Sequence, residues 1–421
     1  MSALKKILAK IDADELVELT RELIRIPSVY RPDDPGATEA KVAAHVEGWL
    51  RREGFAVEIQ TVAPGRPNVI GTLGEKRPGT RSLLLEGHTD VVTEGDPHAW
   101  SRPPFGAELV DGRIYGRGAA DMKGGLAAAI VAVETLLESG LELPGALEIS
   151  GTVDEESGGY GGVAYLARQG LFSKPRVDHV IIPEPLNVDR VCIGHRGVWW
   201  AEIETHGRVA HGSMPFLGDC AARHMGAVLD AFERELWPAL ARRRTAMPVV
   251  PAGARASTLN VNSIHGGQAE GHGGLPSPCV PDSCRMVIDR RFLIEEGLAD
   301  VKGEVLDILD RLGRDRPGFH YDVRDLMEVH PVLADRGLPV PQAVGAAIHA
   351  VLGREAQFVC SPGTYDQKHI ARIGHLHDCV AYGPGILDLA HQPDEFVAIG
   401  DLVASAKVMA VATLQLLGLG R

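Results

Sequence analysis

Apolar and polar residues follow two different patterns along the first 190 or so residues of the chain. Apolar positions three and four apart predict a helix over 14–26, where Leu16, Leu19 and Leu23 share one face. The same pattern predicts a second helix over 38–53, with Thr38 as its N-cap. Apolar runs of roughly four to eight residues have the length of buried strands. They predict strands at 82–85, 146–153 and 179–182.

A third helix is predicted over 121–137, between two of these strands. Strand–helix–strand alternation is typical of an α/β domain with a mixed, mostly parallel sheet and helices on both faces. The same alternation of helical and strand segments returns after about residue 329, and it ends with an apolar helix predicted over 399–417. We therefore predict one α/β domain built from two separate parts of the chain.

Between these parts the pattern changes and predicts a smaller α+β unit. Its predicted strands are 198–204, 285–292 and 320–326, and its predicted helices are 219–235 and 296–312. The stretch 241–281 is rich in Gly and Pro, and we predict that it is irregular. The predicted domains are 1–193 and 329–421 for the α/β domain, interrupted by 194–328.

Composition narrows the possible functions. The chain has 421 residues, 45% of them apolar, which is enough for a sizeable core. Its 43 basic and 56 acidic residues give a net charge of −13, which argues against a nucleic-acid-binding protein. Six cysteines without a CxxC pair favour a reducing compartment. With no secretory signal and no apolar run of membrane-spanning length in this pattern, we expect a cytoplasmic protein without membrane contact.

Acidic and histidine side chains follow the predicted strands at several points, where open α/β sheets bind ligands. Each has a structural alternative: the His88–Asp90 segment as structural or solvated residues, Asp121 as a helix N-cap, and 154–156 as a solvated loop. A carboxylate flanked by apolar residues is harder to explain without a partner. Glu184 is such a carboxylate. The last candidate is His391, near the C-terminus.

Histidine and carboxylate ligands without thiolates suit zinc, cobalt or manganese. An aspartate can bridge two cations through its two oxygens, so Asp121 could be shared by two ions that also use His88, Glu156, Glu184 and His391. Such a pair would polarise a carbonyl and activate a water. Glu155 is then placed to move the proton, and Asp90 to orient the His88 imidazole.

Five segments in order resemble the signatures of one family of dinuclear metallohydrolases. The family includes acetylornithine deacetylase, succinyl-diaminopimelate desuccinylase, aminoacylase and carboxypeptidase G. The segments are HTDVV at 88–92, GRGAADMKGG at 116–125, TVDEESGG at 152–159, PEP at 183–185 and AHQPDE at 390–395. The resemblance spans nearly the whole chain and implies a zinc-exopeptidase-like fold.

The resemblance also implies roles for these residues. His88 and Glu184 would bind one zinc, Glu156 and His391 the other, and Asp121 would bridge them. Glu155 would be the general base and acid, and Asp90 would orient His88. The peptide bond after the bridging aspartate, here Asp121–Met122, is expected to be cis.

In the inserted unit the resemblance implies a lid or dimerisation domain. His211 in AHGSMP (210–215) would reach the scissile carbonyl across a homodimer, and Arg291 would pair with a substrate carboxylate. Gly363 and Thr364 of SPGTYD (361–366) would line the substrate pocket. Two departures matter for the substrate: Pro278 stands where an Asn is common, and Tyr365 stands where a Ser is common.

We therefore expect an amidohydrolase that cleaves a small N-acyl amino acid or related amide by a metal-activated water. The expected cofactor is two divalent ions per subunit, zinc first, with cobalt or manganese as alternatives. Other expectations that remain open are a carboxypeptidase or dipeptidase, and a hydrolase that removes an amine from a small aromatic ring. Glu184, rather than Asp, favours by resemblance deacylases and carboxypeptidases over aminopeptidases. A non-catalytic binding protein is disfavoured because every expected ligand and Glu155 are present.

Overall fold

The computed structural model describes residues 3–31, 34, 38–268 and 277–419, which form two compact units. The first unit comprises Met1–Gly194, Ala334–Val359 and Tyr365–Arg421 within the described residues, and the second comprises His195–Leu333 and Cys360–Thr364. The domains predicted from the sequence did not assign residues 360–364 to the second unit. The roles assigned to the two parts remain predictions.

The helices in chain order are α1 (Ala3–Leu8), α2 (Ala13–Arg25), α3 (Ala40–Arg52), α4 (Lys123–Glu138), α5 (Val163–Arg168), α6 (Ala221–Ala231), α7 (Trp237–Arg242), α8 (Leu298–Asp315), α9 (Pro339–Leu352), α10 (Gln367–Arg372) and α11 (Ile399–Leu416). The strands are β1 (Ala56–Ala63), β2 (Arg66–Gly74), β3 (Ser82–His88), β4 (Glu108–Val110), β5 (Arg113–Tyr115), β6 (Ala146–Thr152), β7 (His179–Pro185), β8 (Arg190–His195), β9 (Gly197–His206), β10 (Thr258–Gly266), β11 (Ser283–Phe292), β12 (His320–Val329), β13 (Val332–Leu333), β14 (Gln357–Ser361), β15 (Cys379–Gly383) and β16 (Phe396–Ala398).

The first unit is built on a mixed sheet with strand order β1-β2-β6-β3-β7-β15-β8, and β14 also pairs with β8. Strands β6, β3, β7 and β15 run parallel, whereas β1, β2 and β8 join the sheet antiparallel. Every residue of β3, β6 and β7 is buried, as expected for central parallel strands. The predicted mixed α/β class is confirmed, and the parallel strands β6, β3, β7 and β15 lie next to one another at the centre of the sheet.

Helices cover this sheet through their apolar residues. α3 packs against β2, and α4 packs against β3 and β7 as well as against α2 and α11. α11 is long and apolar enough to cross a membrane by length and composition, but 61% of its 18-residue window is buried inside the protein. It is therefore explained as a core helix.

The second unit contains an antiparallel sheet of order β10-β11-β9-β12. Burial alternates along β9 and β11, so that one face of the sheet meets a core shared with α6 and α8. Strands β10 and β12 form the two edges of this sheet.

Three predicted elements differ from the structure. The stretch 241–281, predicted to be irregular, contains β10; this edge strand is mostly exposed and so lacks an apolar signal. The helix predicted over 38–53 begins at Ala40, with Glu39 rather than Thr38 at the N-cap position. Thr38 Oγ1 still accepts a hydrogen bond from the Ala40 N–H at 3.4 Å. The helix predicted over 219–235 is divided, because α6 is followed by the π-helical turn Phe232–Leu236.

A close backbone approach sets the position of α4 on the sheet. A Cβ added at Gly125 would lie 1.8 Å from the Pro183 carbonyl oxygen of β7, so only glycine fits there. This approach joins the start of α4, which follows Asp121, to the end of β7, which carries Glu184.

We predict that Gly125→Ala destabilises the protein by ~1–3 kcal/mol or more, because backbone must move to admit the methyl group. Gly303→Ala in α8 is the control, since no atom lies within 4 Å of its added Cβ. The control should be neutral or stabilising by up to ~1 kcal/mol, because Ala favours helix more than Gly does. Unfolding midpoints in urea measure both, and a Gly125→Ala protein as stable as the parent would contradict the packing argument.

Candidate metal centre

The carboxyl ends of the central strands bring three of the sequence segments together. His88 is the last residue of β3 and lies opposite Thr152, the last residue of β6. Glu155 and Glu156 follow β6 in a short 3-10 turn, and Glu184 lies near the end of β7. Because these strands are parallel, their ends share one edge of the sheet.

A small sheet brings the other two segments to the same place. β16 pairs antiparallel with β5, so that the AHQPDE segment before β16 lies beside the GRGAAD segment after β5. Glu395 fixes this contact: its carboxylate accepts the Ala120 and Asp121 N–H groups at 2.9 and 3.1 Å, and Arg117 Nη1 donates to it at 2.5 Å. Asp121 is thereby held by its backbone, and the Asp121–Met122 peptide bond is cis, as the resemblance implied.

The side chains form two groups that share Asp121, each offering three ligand atoms within 4.8 Å of one another. In the first, His88 Nε2 lies 3.1 Å from Asp121 Oδ1 and 3.7 Å from Glu184 Oε1. In the second, His391 Nε2 lies 3.4 Å from Asp121 Oδ2 and 3.1 Å from Glu156 Oε2. Each oxygen of Asp121 therefore faces a different histidine. The structural alternative for Asp121 is not observed, because Met122 occupies the N-cap position of α4.

Crowding of buried carboxylates perturbs the site. Burial and repulsion by Asp121 raise the pKa of Glu156 to about 7, and the same two causes raise the pKa of Glu184 well above its usual range. Burial also opposes ionisation of Asp121, but hydrogen bonds from His391 and His88 outweigh it and lower the pKa. The hydrogen bonds with Asp121 and Glu156 raise the pKa of His391 to about 11. A cation beside these carboxylates would offset their repulsion and favour their charged forms.

Asp90 holds two parts of this site. Its backbone carbonyl accepts a hydrogen bond from His88 Nδ1 at 3.0 Å, and its Oδ1 lies 3.6 Å from the same nitrogen. Its carboxylate also accepts the N–H groups of Glu155 and Glu156, at 3.3 and 3.1 Å. Burial raises the pKa of Asp90 to about 6.

Two further contacts, absent from the sequence reasoning, support the site. Lys368 Nζ donates to Glu155 Oε1 at 2.5 Å, and Glu395 holds the Asp121 backbone as described above. Glu395 was quoted within AHQPDE but received no role, and Lys368 lies in no segment that we singled out. Both are buried, and burial of a charged side chain is not visible in a sequence.

The remaining predicted site residues lie in the second unit. His211 is exposed, and its Nδ1 accepts the Ser213 N–H at 3.1 Å. Arg291 makes a two-point ion pair with Asp289, at 2.6 and 2.9 Å. Gly363 and Thr364 belong to the segment that returns to this unit, where the Gly363 N–H donates to Ser361 Oγ at 3.1 Å. Tyr365, in the first unit, is buried, with its hydroxyl 2.6 Å from Gln367 Oε1.

The donor set fits divalent cations. His88 Nδ1 donates to the Asp90 carbonyl, so loss of the proton on Nε2 leaves a lone pair there that faces Asp121 and Glu184. Two imidazoles and three carboxylates without a thiolate form a set of nitrogen and oxygen ligands that suits zinc, cobalt and manganese.

Comparison with known proteins gives four consistent findings. A family model described as "Peptidase family M20/M25/M40" matches residues 84–415. The N-formyl-4-amino-5-aminomethyl-2-methylpyrimidine deformylase of Bacillus subtilis is 29% identical over 94% of this chain and 93% of its own. The succinyl-diaminopimelate desuccinylase of Gluconacetobacter diazotrophicus is 31% identical over 95% and 96%. Among solved structures, human carnosine dipeptidase 1 superposes with a TM-score of 0.81 at 20% identity over 99% of both chains, which shows a shared fold.

We predict that Asp121→Ala removes far more metal affinity than Asp90→Ala. Asp121 contributes an oxygen to each ligand group. Asp90 belongs to neither group and contributes only hydrogen bonds to His88 and to the 155–156 turn. Loss of such an outer contact costs typically ~10–100-fold in affinity. Equilibrium dialysis of zinc compares the two buried aspartates directly, and equal losses would refute this ranking.

Proposed function

The chain belongs to peptidase family M20/M25/M40 and is a metal-dependent hydrolase of carbon–nitrogen bonds, and from this premise we propose that its substrate is a small N-acyl amino acid or a related amide. The observation that carries the proposal is the pair of ligand groups sharing Asp121, with Glu155 in the turn beside Glu156. The deformylase removes an N-formyl group and the desuccinylase removes a succinyl group, as their names state, and removal of an acyl group by both supports an acyl-nitrogen bond here.

We propose zinc as the native metal, with cobalt and manganese as alternatives. His88 and Glu184 would hold one ion, Glu156 and His391 the other, and Asp121 both. When bound, the two ions supply Lewis acidity that polarises the scissile carbonyl and makes a water more acidic. The protein contributes the rest through its own side chains.

Glu155 is proposed to take a proton from the attacking water and to give it to the leaving nitrogen. The Glu155 side chain is 10% exposed and adjoins the proposed ligand Glu156, so its carboxylate can serve the reaction without being a ligand. Asp90 is proposed to fix the His88 ring and, through the Glu155 and Glu156 N–H groups, the turn that carries the base.

In the second unit, His211 is proposed to donate a hydrogen bond to the oxyanion. Its Nδ1 accepts the Ser213 N–H, so the proton of the neutral ring resides on Nε2, which makes that nitrogen a donor. Arg291 is proposed to bind a substrate carboxylate while Asp289 holds its guanidinium plane. Gly363 and Thr364 are proposed to line the substrate pocket.

Peptide cleavage is the second candidate, because the likeness to human carnosine dipeptidase 1 extends over the whole chain. A panel of zinc-, cobalt- and manganese-loaded enzyme with N-formyl, N-acetyl and N-succinyl amino acids, dipeptides and a formylated aminomethylpyrimidine tests both. Turnover of acyl-amino acids above dipeptides supports the proposal, and the reverse order supports a peptidase. Deamination of a small aromatic amine, assayed beside them, would overturn both.

We propose that the enzyme works in the cytoplasm.

For the base, we predict that Glu155→Gln retains the bound metal while kcat falls by ~10²–10⁴-fold, the usual contribution of general acid–base catalysis. Gln keeps the size of the side chain but cannot take the proton. Metal analysis and steady-state kinetics on the fastest panel substrate test this role. An active variant, or one that has lost its metal, would disprove it.

We also propose a homodimer formed through the second unit. Among the described residues, β10 and β12 each pair with one neighbour and form the edges of its sheet, and open edges favour pairing with another chain. Large apolar side chains of this unit are also exposed: Phe216 is 77% exposed, Leu217 is 54% exposed, and Ile264 of β10 is 50% exposed. Burial of such residues against a second copy would stabilise the pair.

If His211 serves the site of the partner subunit, two inactive variants should complement each other. Glu155→Gln subunits mixed with His211→Ala subunits form heterodimers with one complete site, so activity is expected to return. Heterodimers that form but remain inactive would rule out action across the interface. A monomer in light scattering would rule out the dimer itself.

A further inference from the structure

Helix α10 braces the turn that carries Glu155 at two points. Lys368 Nζ donates to Glu155 Oε1 at 2.5 Å, and His369 Nε2 lies 2.7 Å from the Gly158 carbonyl oxygen. Glu155 is the first residue of the 3-10 turn Glu155–Ser157, and Gly158 directly follows the turn. The chain separates Lys368 from Glu155 by 213 residues, so only the folded unit creates this contact.

Lys368 is one of the most deeply buried charges in the first unit. Its side chain is 2% exposed, and a buried ammonium requires a carboxylate partner. Burial lowers the pKa of Lys368, but the charges of Glu155 and Asp366 outweigh burial and raise it, so the ammonium is retained. The contact with Glu155 is therefore a charge-assisted hydrogen bond, the stronger class of such bonds.

A second carboxylate lies on the other side of the ammonium. Asp366 Oδ1 is 3.7 Å from Lys368 Nζ, and neither Asp366 oxygen has a hydrogen bond within the described part of the chain. Burial and the neighbouring Glu86 raise the pKa of Asp366 well above its usual range. The shorter distance and this raised pKa make Glu155 the principal partner of Lys368.

We propose that Lys368 is a positioning residue that holds Glu155 Oε1, so that Oε2 is the oxygen that exchanges the proton with the reacting water and the leaving nitrogen. A free glutamate side chain samples several rotamers, whereas a general base must stay within hydrogen-bond reach of one proton. The ammonium fixes the carboxylate in position and in orientation, and it needs no contact with the substrate. This inference rests on the proposed role of Glu155 and adds the residue through which that role is maintained.

The test compares Lys368→Met in two backgrounds. With Glu155 present, we expect kcat to fall ~10–100-fold, KM to change less than about threefold, and metal content to stay the same, because only the base is misplaced. In the Glu155→Gln background, Lys368→Met should lower kcat less than about twofold further, because a residue that acts through Glu155 has nothing left to position. Lys76→Met, which breaks a partly exposed ion pair with Asp178, is the matched control and should leave kcat unchanged.

Three outcomes would overturn the proposal. Equal losses of kcat in both backgrounds would show a structural role, unchanged kcat would show no role, and loss of metal would show that Lys368 supports the ligands. Lys368→Arg keeps the charge and donors and is expected to retain more activity than Lys368→Met. If Lys368→Met does not fold, Lys368→Gln takes its place with the same expected split. An active Glu155→Gln parent would instead disprove the base, a result distinguishable from failure of the Lys368 proposal.

Discussion

The repulsion among buried carboxylates at one edge of the central sheet is the constraint on which the rest of this structure depends. Asp121 faces a histidine from each of its oxygens, and further acidic side chains lie close on both sides of it. These are Asp90, Glu155, Glu156 and Glu184, none more than slightly exposed. Two imidazoles and one ammonium offset part of this charge, and the arrangement of the remaining oxygens and nitrogens suits divalent cations.

Such a cluster persists only if the backbone holds each carboxylate in place. Glu395 accepts the N–H groups of Ala120 and Asp121, Asp90 accepts those of the turn after β6, and Lys368 donates to Glu155. Gly125 lets α4 approach β7, which sets the distance between the segments of Asp121 and Glu184. Polar side chains at this edge therefore hold one another and the neighbouring backbone in position.

The sequence predicted the candidate site best where histidine or acidic residues follow a predicted strand. His88, Asp121, Glu156, Glu184 and His391 follow apolar runs or lie in recognisable segments, and the structure brings these five together. Their binding of metal remains a prediction that the geometry supports. Lys368 and Glu395 could not be found in this way, because a lysine in a short helix and a glutamate before a strand look like ordinary surface residues until burial is known.

The elements of the fold also differ in how well the sequence predicts them. Fully buried parallel strands have a strong apolar signal, and β3, β6 and β7 lie where the sequence predicted strands. The antiparallel additions β1 and β2 and the exposed edge strand β10 were not predicted, because β1 and β10 are mostly half-buried or exposed and the apolar residues of β2 are interrupted by Asn68 and Gly71.

The central claim is that Asp121 bridges two cations. Anomalous X-ray diffraction from crystals of the zinc-loaded enzyme tests it most directly. We expect two peaks ~3.5–4 Å apart, one bonded to His88 and Glu184, the other to Glu156 and His391, with Asp121 bonded to both. A single peak, or a second peak that Asp121 does not touch, would contradict the account.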